Sequence, residues 1–268
     1  MGRISRSFLL VGQSYRVLMQ DKELMVLPLI SGITIAVVSV AMIFGFGMRD
    51  FDRPHDLAQY GPLFLLYVVC YTIGIFFQAA VIAGATERMR GGNPTVSSAL
   101  AAAGRRIGPI LLWAAIAATV GMIIKAIQDQ LGFVGRIVVR LLGAAWSLAT
   151  FFVVPVLVLE DRPVGESISR SVRLFKKTWG ETVVGGASVG VAAMCAWVSL
   201  VALTGLTAWF VGPIALVGFF AGAVFLIVLF STLQGVFVAS LFRYASGNGV
   251  TPGFDTEVLE QAFVAKGR

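Results

Sequence analysis

The segment Val26–Met48, VLPLISGITIAVVSVAMIFGFGM, contains no charged residue. A helix of about 17–25 apolar residues is long enough to cross the hydrocarbon core of a bilayer. This segment is apolar on every side, whereas a helix of a soluble core has a single apolar stripe. Five further stretches of 16 to 29 residues also lack charge, namely Leu63–Ala85, Pro109–Ile124, Leu141–Leu159, Val183–Phe210 and Ile214–Phe242. The sequence therefore predicts an all-α integral membrane protein with six transmembrane helices.

The composition agrees with this fold class. The chain is 57% hydrophobic and only 13% charged, against roughly 25% charged residues in soluble domains. Its mean hydropathy is +0.87. Six spans leave no room for a separate soluble domain, so we predict one membrane domain over residues 1–268. The net charge of +7 is not concentrated in any block of five or more basic residues, and nucleic acid is therefore not an expected partner.

The distribution of the basic residues predicts the orientation. If the N-terminus lies in the cytoplasm, 16 of the 21 lysines and arginines fall on the cytoplasmic side, which is the bias that membrane proteins show. Both termini are therefore predicted to be cytoplasmic. Val26–Met48 lacks a cleavage site and is expected to remain as a signal anchor. The basic residues on the other side are Arg49, Arg53, Lys125, Arg136 and Arg140.

The segments before the odd-numbered spans resemble one another. Each is basic, and the second and third open with a proline and a serine cluster, which is typical of a helix start. We predict three repeats, each an interfacial helix followed by a transmembrane hairpin, at 1–85, 86–159 and 160–242, with a cytoplasmic tail at 243–268. Three unrelated juxtamembrane helices, shaped alike by the same lipid, are the alternative interpretation.

The segment before the fifth span shows the clearest amphipathic pattern. Ile168, Val172, Phe175 and Trp179 follow helical spacing, and the cations fall on another face. Such a helix is expected to lie in the membrane interface, with its cations directed to anionic lipid headgroups. The residues predicted to contact lipid in the three segments are Arg6, Tyr15, Arg16, Arg105, Arg106, Arg170, Arg173, Lys177 and Trp179.

Two charged segments allow more than one interpretation. Asp21 precedes the first span and is expected to cap it; the alternative is a salt bridge from this region to Arg105, Arg170 or Arg173. The segment Lys125–Arg140 mixes charged and apolar residues. It is either an interfacial helix or the ends of spans three and four.

Sequence signatures at both ends of the chain resemble a family of bacterial integral membrane proteins that is catalogued as a domain of unknown function. The resemblance implies a multi-pass protein of the bacterial cytoplasmic membrane, with about six spans, and supplies no activity. It rests on Ser5-Arg6-Ser7-Phe8, Asp21-Lys22-Glu23-Leu24, Pro28-Leu29-Ile30-Ser31-Gly32, Tyr244-Ala245-Ser246-Gly247 and Pro252-Gly253-Phe254-Asp255.

No constellation for catalysis is visible in the sequence. Charged residues inside spans usually mark transport or catalysis, and the interiors of these six spans contain none. The only histidine, His55, lies in a polar loop with Asp50, Asp52 and Asp56, where a solvated turn is the simplest interpretation. We therefore predict no enzymatic activity, no cofactor and no metal site.

Small residues give the strongest signal for helix packing. Gly186 and Gly190 in span five, and Gly218 and Gly222 in span six, have the spacing that lets helices approach closely. They serve packing within the chain or contact with a membrane-protein partner or a second copy. Gln78 and Gln234, the amides well inside spans, are expected to bond between helices or to line a polar path.

Two functions remain open at this point. The first is a non-catalytic structural or accessory subunit that packs with other membrane helices. The second is a passive channel or carrier for a small or lipid-like solute. The second requires the polar residues of the spans to line one path, and these residues are Thr72, Gln78, Ser147, Thr150, Ser188, Thr204, Ser231 and Gln234.

Overall fold

The computed structural model describes Leu18, Met19, residues 21–46 and residues 57–247, with the backbone alone at 57–60, 133, 179–186 and 210–211. These residues form helices and no strand. Short 3₁₀ turns at Lys22–Met25 and Gly212–Ile214 precede the first and last helices. The α-helices are α1 (Val26–Gly45), α2 (Leu57–Met89), α3 (Val96–Gly104), α4 (Ile107–Gln130), α5 (Phe133–Ala149), α6 (Val153–Leu159), α7 (Val164–Val211) and α8 (Ala215–Ala245).

The prediction of six transmembrane helices is confirmed. Six helical segments of the described chain are long and apolar enough to cross a bilayer, because the charge-free runs satisfy all their backbone hydrogen bonds internally as helices. Their bounds extend a few residues beyond several of the charge-free runs. The spans are Lys22–Gly45, Gly61–Met89, Ile107–Gln130, Val134–Leu159, Ala187–Trp209 and Gly212–Ala245.

The segment Lys125–Arg140 consists of the ends of spans three and four. Helix α4 continues through Lys125 to Gln130, and α5 begins at Phe133, so only two residues connect them. Gly132 is extended, and Arg136 donates a hydrogen bond from Nε to the carbonyl of Leu131 at 3.0 Å. The charged residues therefore belong to the helix ends, where long side chains can reach the polar interface.

Helices precede two of the odd-numbered spans, as predicted. Helix α3 ends at Gly104 before span three. The first part of α7 runs directly into span five, with one non-helical residue at Thr178 (φ −124°, ψ 20°). The helix predicted before span one lies outside the described residues. The repeat itself stays a prediction.

The buried face of the first part of α7 differs from its most apolar face. Ser167, Ser171 and Leu174 are buried, whereas the predicted apolar stripe through Val172 and Phe175 is half-buried. The serines face inward because they satisfy backbone groups there. This leaves the apolar stripe partly exposed, and an interfacial position for this helix stays a prediction.

Span four is interrupted by the turn Thr150–Phe152, between α5 and α6. Ser171 bonds to both sides of this break. Its hydroxyl donates to the carbonyl of Ala149 at 2.7 Å and accepts from the amide of Phe152 at 3.0 Å. A broken helix is tolerated at membrane depth when side chains satisfy the freed backbone groups. Ser171 therefore stabilises the interruption.

The described chain divides into two compact units. The second unit comprises Ile30–Ala83 and Ser97–Lys176, and the first comprises the described residues of Met1–Leu29, Gly84–Val96 and Lys177–Arg268. In the second unit α4 packs on α5 and α6, and Trp113 stacks on Trp146 with ring centroids 6.0 Å apart. In the first unit the turn Lys22–Met25 packs against α8.

Replacing Ser171 with alanine tests the role of its hydroxyl. Ser171→Ala leaves a backbone carbonyl and a backbone amide without this partner, and an unsatisfied buried group costs about 1–3 kcal/mol. We expect a corresponding loss in the free energy of unfolding, measured by circular dichroism during denaturant unfolding in detergent. Ser169→Ala is the matched control, since Ser169 is exposed and bonds only within its own helix. Equal unfolding curves for the two variants would contradict this role.

Candidate functional site

An ion pair joins the start of span one to the end of span two. Arg88 donates from Nε and Nη2 to the two carboxylate oxygens of Asp21, with Nη2 to Oδ1 at 2.7 Å. The Asp21 side chain is only 7% exposed and that of Arg88 27% exposed. Two-pronged arginine–carboxylate pairs are the strongest and most directional ion pairs in proteins. This pair fixes the relative position of the two helix ends.

The interpretation of Asp21 as a helix cap is wrong. Its side chain makes no capping hydrogen bond to the turn Lys22–Met25. Its carboxylate is turned to Arg88 instead, because the bidentate guanidinium satisfies both oxygens at once. A salt bridge from this region to Arg105, Arg170 or Arg173 stays a prediction. Arg88 was not among the expected partners.

A second charged cluster follows the end of span four. Glu160 accepts from Arg162 at 2.7 Å and from Arg170 at 3.1 Å. The Glu160 side chain is 18% exposed, and it has two cations within bonding distance. Arg162 also approaches Glu166 at 3.4 Å. The cluster ties the end of α6 to the first part of α7.

Arg106 closes the end of α6 from the side of α4. Its Nε donates to the carbonyl of Leu157 at 2.9 Å, and its Nη1 pairs with Asp161 at 2.5 Å. Cations favour helix C-termini, where carbonyl groups lack intrahelical partners. Asp161 has a left-handed backbone (φ 59°), and this conformation ends the helix.

The structure accounts for part of the predicted lipid-contacting set. Arg106 and Arg170 are engaged in ion pairs, while Arg105 and Arg173 are exposed. Lys177 donates to the carbonyl of Ala245 at 3.2 Å. Contact with lipid stays a prediction for all of them. The side chain of Trp179 and the residues Arg6, Tyr15 and Arg16 lie outside the described part of the chain.

The four packing glycines are not equivalent. A Cβ on Gly222 would lie 2.7 Å from Cδ1 of Leu200, so span five and span six approach closely there. Gly190 and Gly218 have no atom within 4 Å of a Cβ position. The surroundings of Gly186 are not described. Gly222 therefore serves packing within the chain, whereas Gly190 and Gly218 border open surface.

The polar side chains of the spans mostly bond to their own helices. Each of these bonds runs from a hydroxyl to the carbonyl four residues earlier, so the hydroxyl proton is engaged within its own helix. They join Thr72 to Val68, Ser147 to Gly143, Thr150 to Trp146 and Thr204 to Leu200, at 2.8–3.0 Å. Gln78 is exposed, Gln234 is half-buried, and neither amide bonds to another described residue.

The described residues contain no group of three or more histidine, cysteine, aspartate or glutamate side chains that could hold a metal ion. His55 and the aspartates Asp50, Asp52 and Asp56 lie outside those residues. Cys70 and Cys195 are free thiols, and Cys70 Sγ is 3.5 Å from the Ser39 hydroxyl.

These features define a polytopic membrane protein whose charged side chains gather at the span ends. A family model, described as a family of unknown function (DUF6159), matches residues 57–253. The chain belongs to this family. The match covers spans two to six and part of the C-terminal signature, whereas the N-terminal signature precedes it.

No curated protein matches the chain. No solved structure matches it either.

Three structural roles are not indicated by the sequence. Arg88 pairs with Asp21, which lies 67 residues earlier in the chain, and nothing in the sequence indicates that these two positions meet. Ser171 resembled an ordinary polar-face serine. The distinction between Gly190 and Gly222 depends on helix rotation, which small-residue spacing does not specify.

Removing Arg88 tests the Asp21 pair. Breaking a buried pair leaves an uncompensated charge and costs about 3–5 kcal/mol. Because the Arg88 side chain is 27% exposed, we expect Arg88→Gln to lower the free energy of unfolding by about 2 kcal/mol. Arg105→Gln, which removes an exposed cation, is the matched control. Asp21→Arg combined with Arg88→Asp should recover part of the loss. An unfolding midpoint for Arg88→Gln equal to that of Arg105→Gln would refute the role of the pair.

Proposed function

We propose that this chain is a non-catalytic structural or accessory subunit of the bacterial cytoplasmic membrane, which packs with other membrane helices. The partner is another membrane protein or a second copy of the chain. The proposed contact surface is the open face of span five around Gly190. Anionic lipid headgroups are further proposed partners at the cytoplasmic span ends.

The exposure of span five carries the proposal. Only 6% of its 18-residue apolar window is buried, against 11% for spans one and six, 22% for span three, 28% for span two and 33% for span four. Lipid can cover such a surface, but close helix contact in membranes favours faces of small residues. Gly190 lies on this span, with open space where a side chain would stand. A helix can therefore approach span five there.

Gln78 supports contact with a partner. Its amide lies inside span two, is exposed, and bonds to no other described residue. An amide facing hydrocarbon loses its hydrogen bonds to water, so a polar group on a neighbouring helix stabilises it. A membrane-protein partner supplies such a group, whereas lipid tails do not.

The hydroxyl groups argue against the alternative of a passive channel or carrier. Hydroxyls that line a polar path can donate to a passing solute or to water. Thr72, Ser147 and Thr204 instead donate to carbonyls one turn back in their own helices. This arrangement suits helices that face lipid or other helices.

Enzymatic activity is not part of the proposal. The span interiors carry no charged side chain that could serve as an acid, a base or a metal ligand. Several of the described charged residues at the span ends form ion pairs, such as Asp21 with Arg88 and Glu160 with Arg170. Groups held in this way fix helix ends.

Glycine substitutions separate assembly from folding. Gly190→Leu places a large side chain on the open face of span five, and we expect the assembly to weaken by about tenfold or more, roughly 1.4 kcal/mol. Folding should be unchanged, because no neighbouring group of the described residues lies within 4 Å of the added Cβ position. Assembly is read from the mass of the full-length protein in mild detergent, and folding from its unfolding midpoint.

Two further variants act as controls for this experiment. Gly222→Leu should lower the unfolding midpoint, because the added carbons overlap Leu200, while Gly218→Leu, one turn away with open space, should not. Gly32→Leu makes the same change on an open face of span one and should leave assembly intact. If Gly190→Leu and Gly32→Leu gave the same assembly as the unmodified chain, span five would not be the contact surface.

A further inference from the structure

The end of α8 contains buried hydrogen-bond donors that have no acceptor. Nε and Nη1 of Arg243 and the hydroxyl of Ser246 are buried and bond to no other described residue. Arg243 and Ser246 are three positions apart, which places them on the same face of a helix end. Buried polar groups are almost always bonded, so three orphaned donors together indicate an absent acceptor.

A second cation contributes positive charge near these donors. Arg90, just beyond the end of α2, lies close enough for its charge to act on Arg243. Arg90 is exposed and forms no ion pair with the described residues, and Arg88 is neutralised by Asp21. Two like charges near each other are unfavourable unless an anion lies between them.

The backbone does not account for the arrangement. Helix C-termini attract cations because their last carbonyls lack partners. Here Lys177 already bonds the carbonyl of Ala245, and the amides of Ser246 and Gly247 bond the carbonyls of Phe242 and Tyr244. The two buried nitrogens of Arg243 donate to none of these carbonyls.

We infer that Arg243 and Ser246 form a binding site for a phosphate group, at the end of span six that is predicted to face the cytoplasm, with Arg90 as a source of positive charge. Nε and Nη1 of Arg243 offer two donors to phosphate oxygens, Ser246 offers a third, and Arg90 adds positive charge nearby. The phosphate belongs to a phospholipid headgroup or to a free phosphate ion. This site is separate from the cations predicted earlier to contact lipid, and it does not depend on the proposed contact through span five.

Native mass spectrometry of the full-length protein in detergent tests the site. The probes are phosphatidylglycerol, phosphatidylcholine and inorganic phosphate, each added alone. We expect one tightly retained phosphate-bearing adduct on the unmodified chain. Retention of phosphatidylglycerol without inorganic phosphate identifies a lipid headgroup, while retention of inorganic phosphate identifies a site for the free ion.

Three variants distinguish a built site from general charge. Arg243→Lys keeps the charge but replaces the Nε and Nη1 donors of the guanidinium with a single ammonium group. We expect the affinity for the adduct to fall about tenfold. Ser246→Ala removes one donor and should weaken binding by a smaller factor without disturbing folding. Arg105→Gln removes an exposed cation elsewhere and should leave the retained adduct unchanged.

Two results would overturn the inference. The first is equal adduct retention by the unmodified chain, Arg243→Lys and Ser246→Ala, because the adduct would then be held without the donors of Arg243 and Ser246. The second is retention that arises only after Asp255, Glu257 and Glu260 are changed to their amides, since carboxylates of the chain itself would then be the acceptors. If Arg243→Lys fails to fold, Ser246→Ala still decides between these results.

Discussion

The hydroxyl of Ser171 bridges the gap in span four by bonding the carbonyl of Ala149 and the amide of Phe152. Inside a bilayer no water replaces a missing backbone partner, so a helix can break there only where the protein itself supplies one. This constraint explains why the first part of α7 buries serines and leaves its apolar stripe partly exposed. It also links the shape of span four to the position of the helix before span five, whose first part belongs to the same compact unit.

The same requirement governs the span ends. Asp21 is satisfied by Arg88, Glu160 by Arg162 and Arg170, and the last carbonyls of α6 by Arg106. These contacts use charges to join helix ends and leave few polar groups without a structural partner. Against this background the orphaned donors of Arg243 and Ser246 stand out, because neighbouring polar groups of the same compact unit are bonded.

The sequence was sufficient to predict the six spans, because their length and lack of charge follow directly from the bilayer. The sequence did not decide whether Lys125–Arg140 is an interfacial helix or the ends of two spans, since both are compatible with its mixture of charged and apolar residues. The partner of Asp21 was out of reach, because Arg88 meets it only after two helices pack. Spacing identified Gly190 and Gly222 as a similar kind of residue, whereas helix rotation gives only Gly222 a neighbour within the chain.

The central claim is that a protein, and not lipid alone, covers the open face of span five. Extraction of the protein from its own membrane in polymer-bounded lipid discs, followed by native mass spectrometry, tests this most directly. The account predicts particles in which the 28.6 kDa chain is bound in fixed stoichiometry to another membrane protein or to a second copy. Particles that contain one chain and lipid alone would contradict it.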